Sequence, residues 1–394
     1  MASEQLLAPQ LITMETLVML ENNLVAGARV NRQFENQFVK IGNSITVRKP
    51  NRFKVRTGPA ISLQDIQEPS VSITVNLQRG VDWQFTSQEL TLTVEEFSER
   101  YAKPAAAEIA NQVDYDVIGN FNQFFNLLGA PGTTPQTFLA LASVAQRMDE
   151  AGVPQDGRTL LLNPAAYWTM ADALKALFVQ SVSEPALKGF LARIANFDIF
   201  ESQNIQSQTV GAYAGAGVVN GAAQTGSNLV TNGWTGGVVG LLKQGDVITV
   251  AGVNAVNPKN RQSTGSLQNF VVTANVSSDG GGNATIPVYP PITTTGAYQT
   301  VTGSPANGAA ITVKGVASNT YPQNIAFVRD AIGLVCVPME VPGGVDFAAR
   351  TMYKNISMRI IRAYDITNDI FATRLDVLYG TTAFYPELGA RLTG

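Results

Sequence analysis

The sequence predicts an α+β chain in which an all-β unit interrupts a mixed host of helices and strands. Three observations carry this prediction. The hydrophobic period is two between Ile41 and Phe85 and turns helical from Thr93 onward. Residues 133–200 then alternate helix-like and strand-like runs. From Ser202 to Ile325 charge almost vanishes: Lys243, Asp246, Lys259, Arg261, Asp279 and Lys314 are the only charged residues, and the stretch holds 19 of the 35 glycines.

Each element follows from its residues. Residues 10–38 are helix-prone, with Leu17, Leu20 and Leu24 at helical spacing on an otherwise Asn/Gln-rich segment. Such a narrow stripe suits a partner surface or the chain's own core, and we expect partner contact. The arms "ITVRKPNRFKVRTG" and "SVSITVNLQRGVDWQF" predict a hairpin around a Pro/Gln/Asp tip, with Pro50 suited to an exposed edge. Thr93 and Glu96 form a capping-box pattern. Beyond it, Phe97, Tyr101, Ala105, Ile109, Val113, Val117, Phe121 and Phe125 recur every four residues, predicting a long helix through Phe125 that Pro104 either kinks or cuts off from its first two turns.

A helix over about Pro135–Ala151, the strand "RTLLL", and an Asn163–Pro164 helix start come next. "GAGVVNG" at Gly215–Gly221 reads as a flexible hinge rather than a dinucleotide fingerprint, because no clear strand precedes it. Short β segments separated by Gly, Asn, Ser and Pro turns then predict a small barrel or sandwich over 229–324. "NISMRIIRAYDI" and "ATRLDVLYG" are strands near the end of the chain.

Chemistry is scarce. Histidine is absent and Cys336, in an apolar strand-like run, is the single cysteine. The sequence therefore lacks the commonest general base, the commonest imidazole metal ligand and any multi-cysteine metal site. No Walker A sequence or G-x-S-x-G elbow occurs. No catalytic residue, cofactor site or metal site is expected, and no membrane span. The pairs Asp114/Asp116 and Glu95/Glu96 read as a solvated or inter-subunit helix face. The N-x-[ST] sites at Asn275, Asn283 and Asn355 read as coincidental without a secretion signal.

With 45% apolar and 14% charged residues, the chain has less solvated surface than a typical soluble domain. Cover by partners explains that shortage, as does an extracellular β-rich surface or adhesin protein. The one concentrated charge is Arg48, Lys49, Arg52, Lys54 and Arg56, alternating from Arg52 with Phe53 and Val55 as on a half-buried strand. DNA contact, an ion-paired protein interface and a solvated face all fit, and a net charge of −3 provides no global basic field. For the interface we expect Arg52, Lys54 and Arg56 to meet carboxylates of a neighbouring subunit. Asp65, Glu68, Glu95, Glu96 and Glu99 are the candidates.

Taken in order, "GNSITVRKPNRFKVRTG", "VDWQFTSQELTLTVEEFSERYAKPAAAEIANQVD", "EAGVPQDGRTLLLNP" and "GDVITVAGVNAVNP…TGSLQNFVVTA" resemble the tailed-bacteriophage major capsid proteins of the Hong Kong 97 fold. The likeness is nearest to the P-twenty-two-like coat proteins with an inserted β-barrel. It implies an N-terminal arm (1–40), an E-loop hairpin (41–85), a P-domain with a long spine helix (86–132) and an A-domain with a hinge (133–228). An inserted β-barrel (229–324), an A-domain return strand (325–340) and P-domain C-terminal strands (341–394) complete it. The resemblance also implies self-assembly of hexamers and pentamers into an icosahedral shell enclosing double-stranded DNA. Scaffolding and portal proteins would be separate partners, the shell would be assembled in the host bacterial cytoplasm, and no enzyme activity would be expected.

Overall fold

The computed structural model describes residues 9–33, 44–56, 58–61, 63–64, 66, 68–86, 101, 103–174, 193–345, 347–353 and 356–393. It opens with α1 (Pro9–Asn23), β1 (Ser44–Arg48), β2 (Ser70–Thr74), β3 (Leu77–Thr86), α2 (Lys103–Ile118) and β4 (Asn126–Leu128). Next come α3 (Phe138–Glu150), β5 (Arg158–Leu162), α4 (Pro164–Leu174), β6 (Phe197–Glu201) and β7 (Ser207–Thr209). The charge-poor stretch supplies β8 (Gly215–Val219), β9 (Gly226–Trp234), β10 (Val247–Val256), β11 (Ser263–Val272), β12 (Ala284–Ile292) and β13 (Ile311–Val313). Strands β14 (Thr320–Val328), β15 (Ile332–Cys336), β16 (Phe347–Tyr353), β17 (Ile356–Asp365), β18 (Ile370–Ala383) and β19 (Gly389–Thr393) follow.

The chain divides into two compact units. The first takes Met1–Arg48, Ser70–Val117 and Gly333–Thr382. Its main sheet runs β15-β18-β17-β16, with β3 also paired to β18. Period-two alternation places Met358, Ile360, Leu375 and Val377 on one buried face, in register across β17 and β18. Helix α1 packs on β16 and β17. Here the expectation for the leucine stripe is corrected: Leu17 and Leu20 are 0% exposed and Leu24 5%. The stripe lies in the subunit's own core, because a sheet face stands ready to cover it.

The predicted second hairpin arm is two strands, not one. Residues 70–74 pair antiparallel with 44–48, while 77–86 pair with β18 from Ile370 to Tyr379. The predicted helix is also shorter at its C-terminal end. Among the described residues, α2 stops at Ile118 and tightens into a 3-10 turn over Gly119–Gln123, with Phe124 extended. Glycine is a weak helix former, and a Cβ at Gly119 would stand 3.0 Å from the Gln206 side chain. Phe121 and Phe125 are buried all the same, so the stride of four marked burial beyond the helix. Pro104 is the second residue of α2 as described, and most of the residues before it, where the expected kink or split would show, lie outside the described residues. Thr93 and Glu96 lie outside the described residues.

The second unit takes Lys49–Pro69, Ile118–Ile332 and Ala383–Gly394. One sheet runs β4-β19-β14-β5-β6, with β7 also on β14. Leu141, Val144 and Met148 of α3 and Met170 of α4 join Leu160, Phe197, Ala326 and Leu392 in its core. Helix α4 starts as predicted, the Ala166 N–H donating to Asn163 Oδ1 at 3.1 Å. The last strand, β19, lies in this sheet, against β14 and β4.

The other sheet is antiparallel, in the order β13-β10-β11-β12-β9-β8. A bridge from Val218 in β8 to Ala310, just before β13, brings its end strands together, so the sheet is nearly closed like a barrel. A single cluster including Leu229, Trp234, Ile248, Phe270, Ile286 and Val301 fills it. "GAGVVNG" is therefore not a hinge; it contains β8, paired with β9. Gly217 has a packing reason, since a Cβ there would fall 2.1 Å from the Trp234 ring.

Candidate assembly surface

Strand β1 ends where its sequence requires. Pro50 has no N–H to continue a ladder, and the last hairpin bond runs from the Lys49 N–H to Pro69 O at 2.7 Å. Residues 49–56 form no strand, so Phe53 and Val55 are not half-buried as expected: both are exposed, Val55 at 90%. Other side chains brace the loop. The Gln64 amide accepts from the Lys54 N–H at 2.8 Å and donates to Lys54 O at 2.6 Å, replacing the missing ladder partner. The Arg56 guanidinium donates to the carbonyls of Gly58 and Ala60.

The basic segment finds partners in its own subunit. Arg52 Nη2 donates to Glu387 Oε1 at 2.9 Å, and the Arg52 backbone N–H donates to Tyr298 Oη at 3.2 Å. Its guanidinium also lies 5.9 Å from the Tyr298 ring centre. Tyr289 donates its hydroxyl to the other Glu387 oxygen at 3.2 Å. Burial, then the Glu387 charge, holds the Tyr289 hydroxyl well above its ordinary pKa. Lys49 Nζ stands 4.8 Å from the Tyr385 ring centre, and burial lowers its pKa. Arg261 Nη2 donates to Phe53 O at 3.0 Å.

Of the predicted contact residues, Arg48, Arg52, Lys54, Arg56 and Glu68 are exposed and Lys49 is half-buried. Asp65, Glu95, Glu96 and Glu99 lie outside the described residues. Reasoning from the sequence missed Glu387 as the carboxylate that meets Arg52. It lies 335 positions away, beyond the reach of any local pattern. Exposed apolar residues collect in the same loop: Phe53, Val55, Ile61, Leu63 and Ile66, with Leu63 at 93%.

The helix carboxylates have internal work. Asp114 is buried and accepts from the N–H groups of Val25, Ala26 and Gly27 at 2.6, 3.2 and 2.7 Å, so it is not on a solvated face. Burial raises its pKa, with those three donors opposing. Asp116 accepts from Arg79 Nε at 2.9 Å and from the Tyr379 hydroxyl at 2.6 Å, tying α2 to β3 and β18. In the second unit Asp246, also buried, accepts from the Lys243 and Gly211 N–H groups and from Gln208 Nε2. The fully buried Arg391 donates to Gly245 O at 2.8 Å, and burial pushes its pKa down to about 9. These charges organise turns and strand ends. Among the described residues no group of three or more His, Cys, Asp or Glu could hold a metal, and no helix is long and apolar enough to cross a membrane.

A family model described as P22 coat protein - gene protein 5 matches residues 1–394. A chain of Mycobacterium phage Che8 shares the fold at 12% identity with a TM-score of 0.51, over 94% of this chain and 90% of that one. Weaker likenesses, at TM-scores of 0.45 and 0.43, are to the capsid structure of cyanophage P-SCSP1u and the mature capsid of bacteriophage PhiM1. Identities there are 10% and 8%, over 92% and 89% of this chain and 84% and 82% of those chains. No curated protein sequence matches the chain.

Proposed function

The chain belongs to the P22 coat protein family, and on that premise we propose that its parts take the Hong Kong 97-type roles. It is a structural protein, a major capsid protein that builds the icosahedral shell of a phage. Residues 1–40 would serve as the N-terminal arm, 41–85 as the E-loop, and 86–132 with 341–394 as the P-domain. Residues 133–214 with 325–340 would serve as the A-domain, and the inserted domain, expected from the sequence over 229–324, would begin with β8 at Gly215. The observation that carries the assembly reading is the 49–69 loop, whose large apolar side chains face water in the single subunit. Exposed patches of that kind mark contact surfaces. Arg48, Lys54, Arg56 and Glu68 are exposed at the same place and would form its polar rim.

Each contact between copies can be modest, because a closed shell engages many at once. A separate scaffolding protein would guide closure, a portal protein would occupy one vertex, and double-stranded DNA would lie inside without sequence readout. The test is to express the chain with and without the candidate scaffolding protein and image the products by negative-stain electron microscopy. Closed shells of uniform size are expected in the presence of scaffold. A discrete small oligomer under both conditions would overturn the reading.

A further inference from the structure

Among its described residues, the 49–69 loop has several polar groups held by the chain while its large apolar side chains stand in water. Five apolar residues, Phe53, Val55, Ile61, Leu63 and Ile66, are exposed. The polar anchors come from separate stretches of the second unit: Tyr289 in β12, Tyr298 beyond it, and Tyr385 and Glu387 between β18 and β19. Glu387 uses both carboxylate oxygens, one for Arg52 and one for the Tyr289 hydroxyl. Arg52 uses its guanidinium on Glu387 and its backbone N–H on Tyr298.

We propose that Arg52 and Glu387 form an intrachain clamp that fixes the 49–69 loop on its own subunit, so that a second copy of the chain engages the loop's apolar side chains and not this ion pair. Ordering the loop before contact removes an entropy cost that would otherwise fall on association. Water around exposed Val55 and Leu63 is released only when a second surface covers them. The second copy as occupant rests on the shell-forming role given above. The clamp itself rests only on contacts within one subunit.

Two measurements decide it. On the unassembled subunit, trypsin cutting after Lys54 and Arg56 reports opening of the loop. Glu387→Gln should speed that cutting about fivefold, the scale of one partly exposed ion pair, with the melting temperature unchanged. Equal rates would overturn the clamp. Arg52→Glu and Glu387→Arg should each impair shell formation, and the double variant in one chain should restore it. Mixing the two single-variant subunits should not, because each then carries like charges in its own clamp. Rescue by mixing would show that the pair works between copies and would overturn the proposal. Wild-type subunits that never form shells would sink the assembly role, while the trypsin rates would still decide the clamp.

Discussion

Helix α1 and the 49–69 loop drew the same expectation from their residues, and the structure treats them oppositely. Both present apolar side chains at regular spacing beside polar ones. Leu17 and Leu20 in α1 are fully buried, whereas Val55 and Leu63 in the loop are almost fully exposed. The difference lies in the backbone. A helix satisfies its own N–H and C=O groups and can be pressed whole against a sheet, here β16 and β17. A segment that leaves its ladder at Pro50 has backbone groups to satisfy, so its amides and guanidiniums are used for that while its apolar side chains stay in water. Polar composition alone therefore does not reveal which stripe is a contact surface.

The largest expected effect tests the α1 half of that contrast. Leu20→Ser should destabilise the subunit by about 3–5 kcal/mol, through lost packing and a buried hydroxyl. Urea unfolding reads it, and a shift under 1 kcal/mol would break the comparison by returning the stripe to the surface. Asp114→Ala should follow at about 2–4 kcal/mol, since three N–H groups just after α1 lose their acceptor. Asp114→Asn, which keeps an oxygen, should cost less than the alanine variant.

A pH series sharpens the contrast between buried and exposed carboxylates. Burial raises the pKa of Asp114 and Asp246 above the ordinary 3.8. The stability they contribute is thus fully present below that value and lost as pH rises through their raised folded values. Asp279 is exposed and Asp365 partly so, and side-chain hydrogen bonds from Asn283 and Asn368 lower their pKa. Their contribution is present above 3.8 and lost as pH falls through the lowered values. Melting temperatures above pH 4 should therefore fall less steeply with rising pH in Asp246→Asn than in the unaltered chain. An identical slope would mean that Asp246 titrates normally.

The smallest effect on folding belongs to the loop. Val55→Ser with Leu63→Ser should leave the melting transition within about 0.5 kcal/mol of the original and still suppress shell formation, as read by light scattering. A marked fall in stability would place these side chains in the subunit's interior, and normal shells would remove the loop from the contact surface.

By itself the sequence determined what depends on neighbours in the chain. The α4 start at Asn163–Pro164, the end of α3 before Gly152, the RTLLL strand and the β-rich character of the charge-poor stretch all follow from local propensity and period. The burial of Cys336 follows from its apolar surroundings in the same way. The family resemblance was also legible, because it rests on the order of several such segments.

Tertiary structure alone decided where the pieces were used. It turned a glycine run into β8 by laying Trp234 across Gly217, drew the final strand β19 beside β14, and put the α1 leucines into the core. It also matched Arg52 with Glu387 and Asp114 with the 25–27 turn. The physical reason is common to all of these. A side chain's type and local period fix what kind of partner it needs, but the partner itself is whatever the folded chain brings within a few ångströms, however many residues lie between.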